Sequence, residues 1–295
     1  MENITPPEAK SLGTGLHPIP FGMPSLDNSL GGLPAGTATL LAGAPDAGAE
    51  AFVYTQAAQL VLAKHDPGMY DADVGRFRDA LPDHVVYLSL ATGVRHILHG
   101  MNEVLDQYQF DALVEHMTLL DYSGSFLDFA DVPAAFDADA PEGPAATVTR
   151  QVDGDSFADF VERVADDAEA HGENSLVILD SLTDLLLARR FGLSERTMLG
   201  FLIGLREAAS RWDGLVNVLH TQRAPEVRAD AVTSSLLHGN IYFYSNDQGF
   251  DTYRTMRIGS FGGALDRETQ VVYGTSIGPA GFRVKATKKI APQNW

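Results

Sequence analysis

Between Thr37 and His220 the chain alternates short apolar runs with longer stretches of helical pattern, and this alternation limits the fold more than any other feature. The runs are Thr37–Ala42 (TATLLA), Val85–Leu90 (VVYLSL), Met117–Tyr122 (MTLLDY), Leu176–Asp180 (LVILD) and Leu215–His220 (LVNVLH). Helices are expected over Ala49–Lys64, over 94–118, over Ser156–His171 with Asp155 or Ser156 as N-cap, and over about Ser194–Arg211. Strands that alternate with helices over such a length predict a mainly parallel sheet flanked by helices. From Gly239 onward the pattern changes. IYFYS, TYRTMRIGS, TQVVYGTSI and GFRVKAT alternate and carry turn residues, so an antiparallel β-hairpin extension closes the expected α/β fold.

Residues 1–20 are rich in Pro and Gly without a sustained period and read as a flexible arm. Residues 21–288 are expected to form one domain, with 289–295 as a tail. Residues 123–154, rich in Ala, Asp, Pro and Gly, are expected to be a loop or insertion. No run approaches the ~20 apolar residues of a membrane helix. The first residues also lack the basic start and apolar run of a signal peptide, so a cytoplasmic protein is expected. With no cysteine there are no disulfides and no thiolate metal sites.

The formal net charge is −18, with 39 acidic residues and only five lysines, at positions 10, 64, 285, 288 and 289. The acid is spread along the chain rather than clustered, which suits solubility at high salt better than one acidic site. At 1 M salt the Debye length is only ~3 Å, so such a surface repels itself little. This composition resembles that of proteins from extremely halophilic archaea. It disfavours nucleic acid as a partner, since nucleic acid rewards clustered Lys and Arg.

The segment Phe21–Leu60 carries the most specific signal. Gly22, Leu26, Asp27, Leu30, Gly31, Gly32, Pro34 and Gly36 lead into the run at Thr37 and then into the glycine-bearing loop Gly43–Glu50. This spacing resembles the approach to the P-loop in the KaiC-like branch of the RecA superfamily of ATPases. LVILD ending at Asp180 resembles a Walker B strand, and the resemblance extends over roughly residues 20–288. It implies a RecA-like fold, and it implies ATP and Mg²⁺ at the loop if the loop is intact.

A working P-loop, G-x-x-x-x-G-K-[ST], cradles phosphates with backbone N–H groups, neutralises them with lysine and binds Mg²⁺ through the hydroxyl. Here Gly43 and Gly48 keep the frame, but Ala49 stands at the lysine place, Glu50 at the hydroxyl place and Asp46 where the family carries glycine. After the second strand the family carries a Glu-Glu pair that activates water; this chain has Ala91-Thr92. The finger that such rings offer to a neighbour's nucleotide falls on Ile258–Gly263, which holds neither of its charges, although Arg254 and Arg257 lie nearby. Asp180 reads as an acidic strand end, and Gln222 stands at the family's γ-phosphate sensor position with no phosphate to sense.

The expectation is therefore a non-catalytic, regulatory or scaffolding pseudo-ATPase without cofactor. Its partners would be proteins: an active paralogue, or further copies of itself. Two alternatives stay open. One is a divergent ATPase in which Glu50 and Asp180 hold Mg²⁺ and an arginine such as Arg254 replaces the lysine. The other is a recombinase accessory acting on DNA. Three weaker patterns complete the reading. His96, His99 and Glu103 share a helical face at metal-ligand spacing but read as surface residues; no metal is expected. Ser181, Asp184 and His220 suggest a hydrolase triad, without the G-x-S-x-G elbow. Tyr242, Phe243 and Tyr244 offer rings for stacking or for packing a hairpin.

Overall fold

The architecture was taken from a computed structural model that describes residues 17–66, 79–133, 147–154, 156–222, 235–248, 251–261 and 271–289. A ten-stranded sheet runs through it. In spatial order the strands are β12 (Gly281–Lys289), β11 (Val271–Gly278), β10 (Asp251–Phe261), β9 (Gly239–Gln248), β3 (Thr37–Gly43), β8 (Leu215–Thr221), β7 (Ser175–Asp180), β4 (His84–Ser89), β5 (Met117–Asp121) and β6 (Thr147–Thr149). All pairs from β9 to β6 are parallel, and those from β9 to β12 are antiparallel. The expected mainly parallel sheet with its antiparallel extension is thus present, with β9 as the strand that belongs to both parts.

The parallel strands β3, β8, β7, β4 and β5 bury both faces, which is why their sequences read as almost unbroken apolar runs. Leu41, Tyr87, Ile178 and Leu219 point into one core, under α2 (Ala49–His65), α3 (Val94–Val104) and α4 (Gln107–Glu115). Leu40, Val86, Val177 and Val218 point into the other, under α6 (Phe157–His171), α7 (Leu182–Ala188) and α8 (Glu195–Trp212). The first core continues onto the antiparallel strands, where Phe243 and Phe282 close around Phe52 of α2 with ring centroids 5.4 and 5.5 Å from it. This contact seats the C-terminal extension against the helix that starts at the glycine loop.

Four expectations change. The helix expected over 94–118 is two helices and the start of β5, because Asp106 starts a new helix. Its carboxylate accepts from Gln109 N at 2.9 Å, and the Gln109 side chain accepts from Asp106 N at 3.1 Å, a reciprocal N-cap. The arm expected over 1–20 is ordered at its inner end: β1 (Pro18–Ile19) pairs with β2 (Leu33–Pro34), and Ile19 is fully buried. Residues 1–16 lie outside the described residues, as do 290–295 of the expected tail. The stretch expected to be a loop over 123–154 opens with α5 (Ser123–Phe129) and contains β6. Ser125 ties its two ends together, donating to Arg150 O at 3.2 Å and accepting from Val152 N at 3.0 Å, while 134–146 lie outside the described residues. Finally, α7 directly follows Asp180 where no helix was expected.

The motif around Asp27 also has a structural explanation. The Asp27 carboxylate in α1 (Pro24–Leu30) accepts from Phe21 N at 2.5 Å and Met23 N at 2.9 Å, fastening the chain as it enters the core. Burial outweighs these bonds and raises its pKa to about 6.

Candidate functional site

The carboxyl ends of β3, β4, β7 and β8 open onto a cleft of about 430 Å³, the position where open α/β sheets hold their ligands. Asp46 and Glu50 form one wall, and Ala91, Thr92 and His96 after β4 form another. Asp180, Ser181, Asp184 and Leu187 follow β7, and Thr221 ends β8. Of the residues expected at the site, the structure therefore gathers Asp46, Glu50 and Asp180 at one cleft, and it adds Asp184. Among the described residues lining it there is no lysine or arginine.

The loop from Gly43 to Gly48 is held by packing. A Cβ on Gly43 would lie 2.9 Å from Phe243 Cβ and from Phe243 O of β9. Gly48 has φ of 107°, and a Cβ there would lie 3.1 Å from the Phe282 ring of β12. Ala47 is fully buried, and its N–H donates to Ala44 O at 3.1 Å. Asp46 takes a left-handed conformation, φ 61°, which Asp accepts more easily than most residues. Ala49, half-buried, begins α2 and presents a methyl group, while Glu50 is exposed in its first turn.

Two other expected residues also meet this loop. The Gln222 N–H donates to Gly43 O at 2.8 Å. Arg254 Nε donates to Asp46 O at 2.8 Å, so a guanidinium from β10 touches the loop through its backbone. Arg257 does not join it. Three residues further along the strand, it lies on the other face of the sheet, with its guanidinium 5.2 Å from the centroid of the Tyr242 ring. Of the stretch Ile258–Gly263, residues 262 and 263 lie outside the described residues.

Asp180 is bound from below. Tyr87 of β4 donates its hydroxyl to Asp180 Oδ2 at 2.8 Å, and Tyr87 in turn hydrogen-bonds Tyr54 of α2. Burial, and then the charge of Asp180, push both phenol pKa values above the ordinary value of 10, so the hydroxyls stay protonated as donors. The sequence reading missed this pair. A tyrosine in the middle of the apolar run VVYLSL, one strand away from Asp180, was the available signal.

The weaker patterns resolve individually. Ser181 donates to Asp184 Oδ2 at 2.8 Å, while buried His220 bonds Thr183 Oγ1 through Nδ1 at 3.2 Å. Burial depresses the His220 pKa to about 4, so the ring is neutral near pH 7. His96, His99 and Glu103 are exposed on α3. Among the described residues no group of three or more His, Asp or Glu is placed to hold a metal ion. Phe243 enters the core, and Tyr242 and Tyr244 face the opposite side of the strand. No helix among the described residues is long and apolar enough to cross a membrane.

Sheet order, helices on both faces and a cleft at the strand ends define an α/β protein of RecA-like fold. One solved structure similar to it is a KaiC-like protein from the hyperthermophilic archaeon Pyrococcus horikoshii OT3. The TM-score is 0.55 at 18% identity, and the match covers 92% of this chain and 100% of that one. A likeness at that identity concerns the fold alone. Neither a protein-family model nor a curated protein matches the sequence.

Proposed function

We propose that this chain is a non-catalytic member of the KaiC/RecA-like group, a pseudo-ATPase that works by binding proteins in a salt-rich cytoplasm. The observation that carries this reading is the charge of the cleft. Where an ATPase of this fold offers lysine and a hydroxyl to phosphates, this chain has Ala49 in place of the lysine, and its cleft is lined by the acidic residues Asp46, Glu50, Asp180 and Asp184. Each unit charge 4 Å from a phosphate charge changes its energy by about 1 kcal/mol at the dielectric of water and about 4 kcal/mol at an effective dielectric of 20. The helix N-terminus contributes about 0.3–1 kcal/mol, up to about 2, and does not offset several repulsions. The general base is missing as well: Ala91 and Thr92 occupy the wall after β4. A frame without its chemistry suits a regulatory or scaffolding part, paired with an active paralogue or with further copies of itself.

A divergent ATPase is the second reading, and the contact between Arg254 and the loop favours it. Titration calorimetry with MgATP in multimolar KCl separates the two, together with hydrolysis assays on the wild type and on Asp180→Ala. The non-catalytic reading expects no saturable binding below the millimolar range and no turnover that depends on Asp180. Micromolar binding with turnover lost in Asp180→Ala would establish the divergent ATPase instead.

A further inference from the structure

At the amino-terminal ends of the strands, opposite the cleft, several elements bring histidines together. His65 ends α2 and His116 caps the C-terminus of α4, and their rings stack with centroids 3.8 Å apart and planes within 3° of parallel. His65 Nε2 lies 3.0 Å from Asp83 O, so that nitrogen carries the proton. Beside the pair, His84 at the start of β4 bonds Thr118 Oγ1 at 2.7 Å, and His171 at the end of α6 donates from Nδ1 to Asp167 O at 2.8 Å. The acids nearby are largely engaged: Asp83 pairs with Lys64 at 2.7 Å, Asp66 accepts from Tyr108, and Asp167 is held by Arg150 and Arg163. Glu115, next to His116, is the remaining carboxylate that attracts protons to the stack.

We propose that this histidine cluster is an acid-sensitive latch between α2 and α4: it is closed while the stacked pair holds at most one proton, and it is released when both rings charge. Face-to-face imidazoles tolerate no charge or one, because a neutral ring can stack on a cationic one. Two charges at this separation repel, and a charge on His116, His171 or His65 also disfavours the protonated form of His84. Protonation of His116 is therefore coupled to the charge on His65. Burial first, and then the charge of His65, lower the pKa of His116. Burial, followed by His116, His171 and His65, lowers that of His84. The sign follows directly. The unfolded chain takes up these protons as pH falls through the ordinary histidine value of 6.5, and the folded chain resists them, so stability is present above that value and declines below it. The helix so released is the one whose other end forms the glycine loop.

The test uses His116→Phe, which keeps an aromatic partner for His65 but cannot charge. Thermal melting is followed from about pH 7.5 to about pH 5.5, across the ordinary histidine pKa. The wild type should lose several degrees over that range, and the variant less than half as much. Ring-proton NMR of the wild type should show His116 titrating below 6.5. This measurement decides the matter even if the variant folds poorly. Hydrogen exchange, corrected for its intrinsic pH dependence, should show the last turn of α2 losing protection at the acid end. A His116 ring that titrates at 6.5 or above, an undiminished acid loss in His116→Phe, or unchanged protection in α2 would each overturn the latch.

Discussion

Rebuilding the loop chemistry tests the proposed function more sharply than removing residues. The perturbation is the triple change Asp46→Gly, Ala49→Lys and Glu50→Thr, which restores the phosphate-binding pattern on the existing frame. Asp46 has φ of 61°, a conformation that glycine takes without penalty, so this change should not strain the turn. Ala49 is half-buried at the first turn of α2, next to Glu50, which lines the cleft. Each of the three changes alters the charge facing a phosphate by one unit in the favourable direction. Both native carboxylates are exposed, so the low end of the range applies: about 1 kcal/mol per charge at 4 Å, and about 3 kcal/mol for the set. That corresponds to about a hundredfold tightening of MgATP. A fluorescent ATP analogue titrated against both proteins in multimolar KCl measures the change, and matched thermal melts show that the variant is folded. A gain below tenfold, with the variant intact, would refute the claim that local charge excludes the nucleotide. So would a wild type that already binds in the micromolar range.

Two further changes probe the supports of the cleft. Tyr87→Phe removes the hydroxyl that donates to Asp180 at 2.8 Å, and a hydrogen bond to a charged group is worth about 1.5–3 kcal/mol. Urea denaturation should show that loss, whereas a change below about 0.5 kcal/mol, the usual scale of a neutral surface substitution, would mean that Asp180 is not held by this bond. Gly48→Ala places a Cβ 3.1 Å from the Phe282 ring at φ of 107°. The backbone penalty alone is about 1–2 kcal/mol, so the melting temperature should fall with no ligand present. An unchanged melt would show that β12 does not clamp the loop.

The fold was legible in the sequence wherever burial is two-sided. VVYLSL, LVILD and LVNVLH read as strands because both of their faces meet helices, and the hairpins read as antiparallel because buried Phe243 alternates with exposed Tyr244. The break at Asp106 was not read because the apolar pattern continues past it, and only the reciprocal cap with Gln109 ends the first helix. The loop residues of the cleft were legible through spacing. The floor was not: Tyr54 and Tyr87 are far apart in sequence and meet Asp180 only because α2 lies over β4 and β4 pairs with β7. Arg254 was singled out as a substitute cation, and the structure places it at the loop but joined to a carbonyl rather than turned to a phosphate place.

The framing glycines Gly43 and Gly48 have a physical cause in packing. At Gly43 the obstacle to a side chain is β9, and at Gly48 it is the Phe282 ring of β12, so both glycines are required by the C-terminal strands whether or not a nucleotide binds. Of the positions that differ from a working loop, Asp46 and Glu50 are exposed, and Ala49 is half-buried against the first core. The fold therefore holds the glycines by packing and leaves positions 46 and 50 at the surface. The contacts around Asp180 follow the same division, since Tyr87 satisfies the carboxylate from inside the core, where a metal ion would have come from the cleft. Retained glycines in a loop of this kind consequently report how the C-terminal extension packs, and the side chains at positions 46, 49 and 50 report what the cleft can bind.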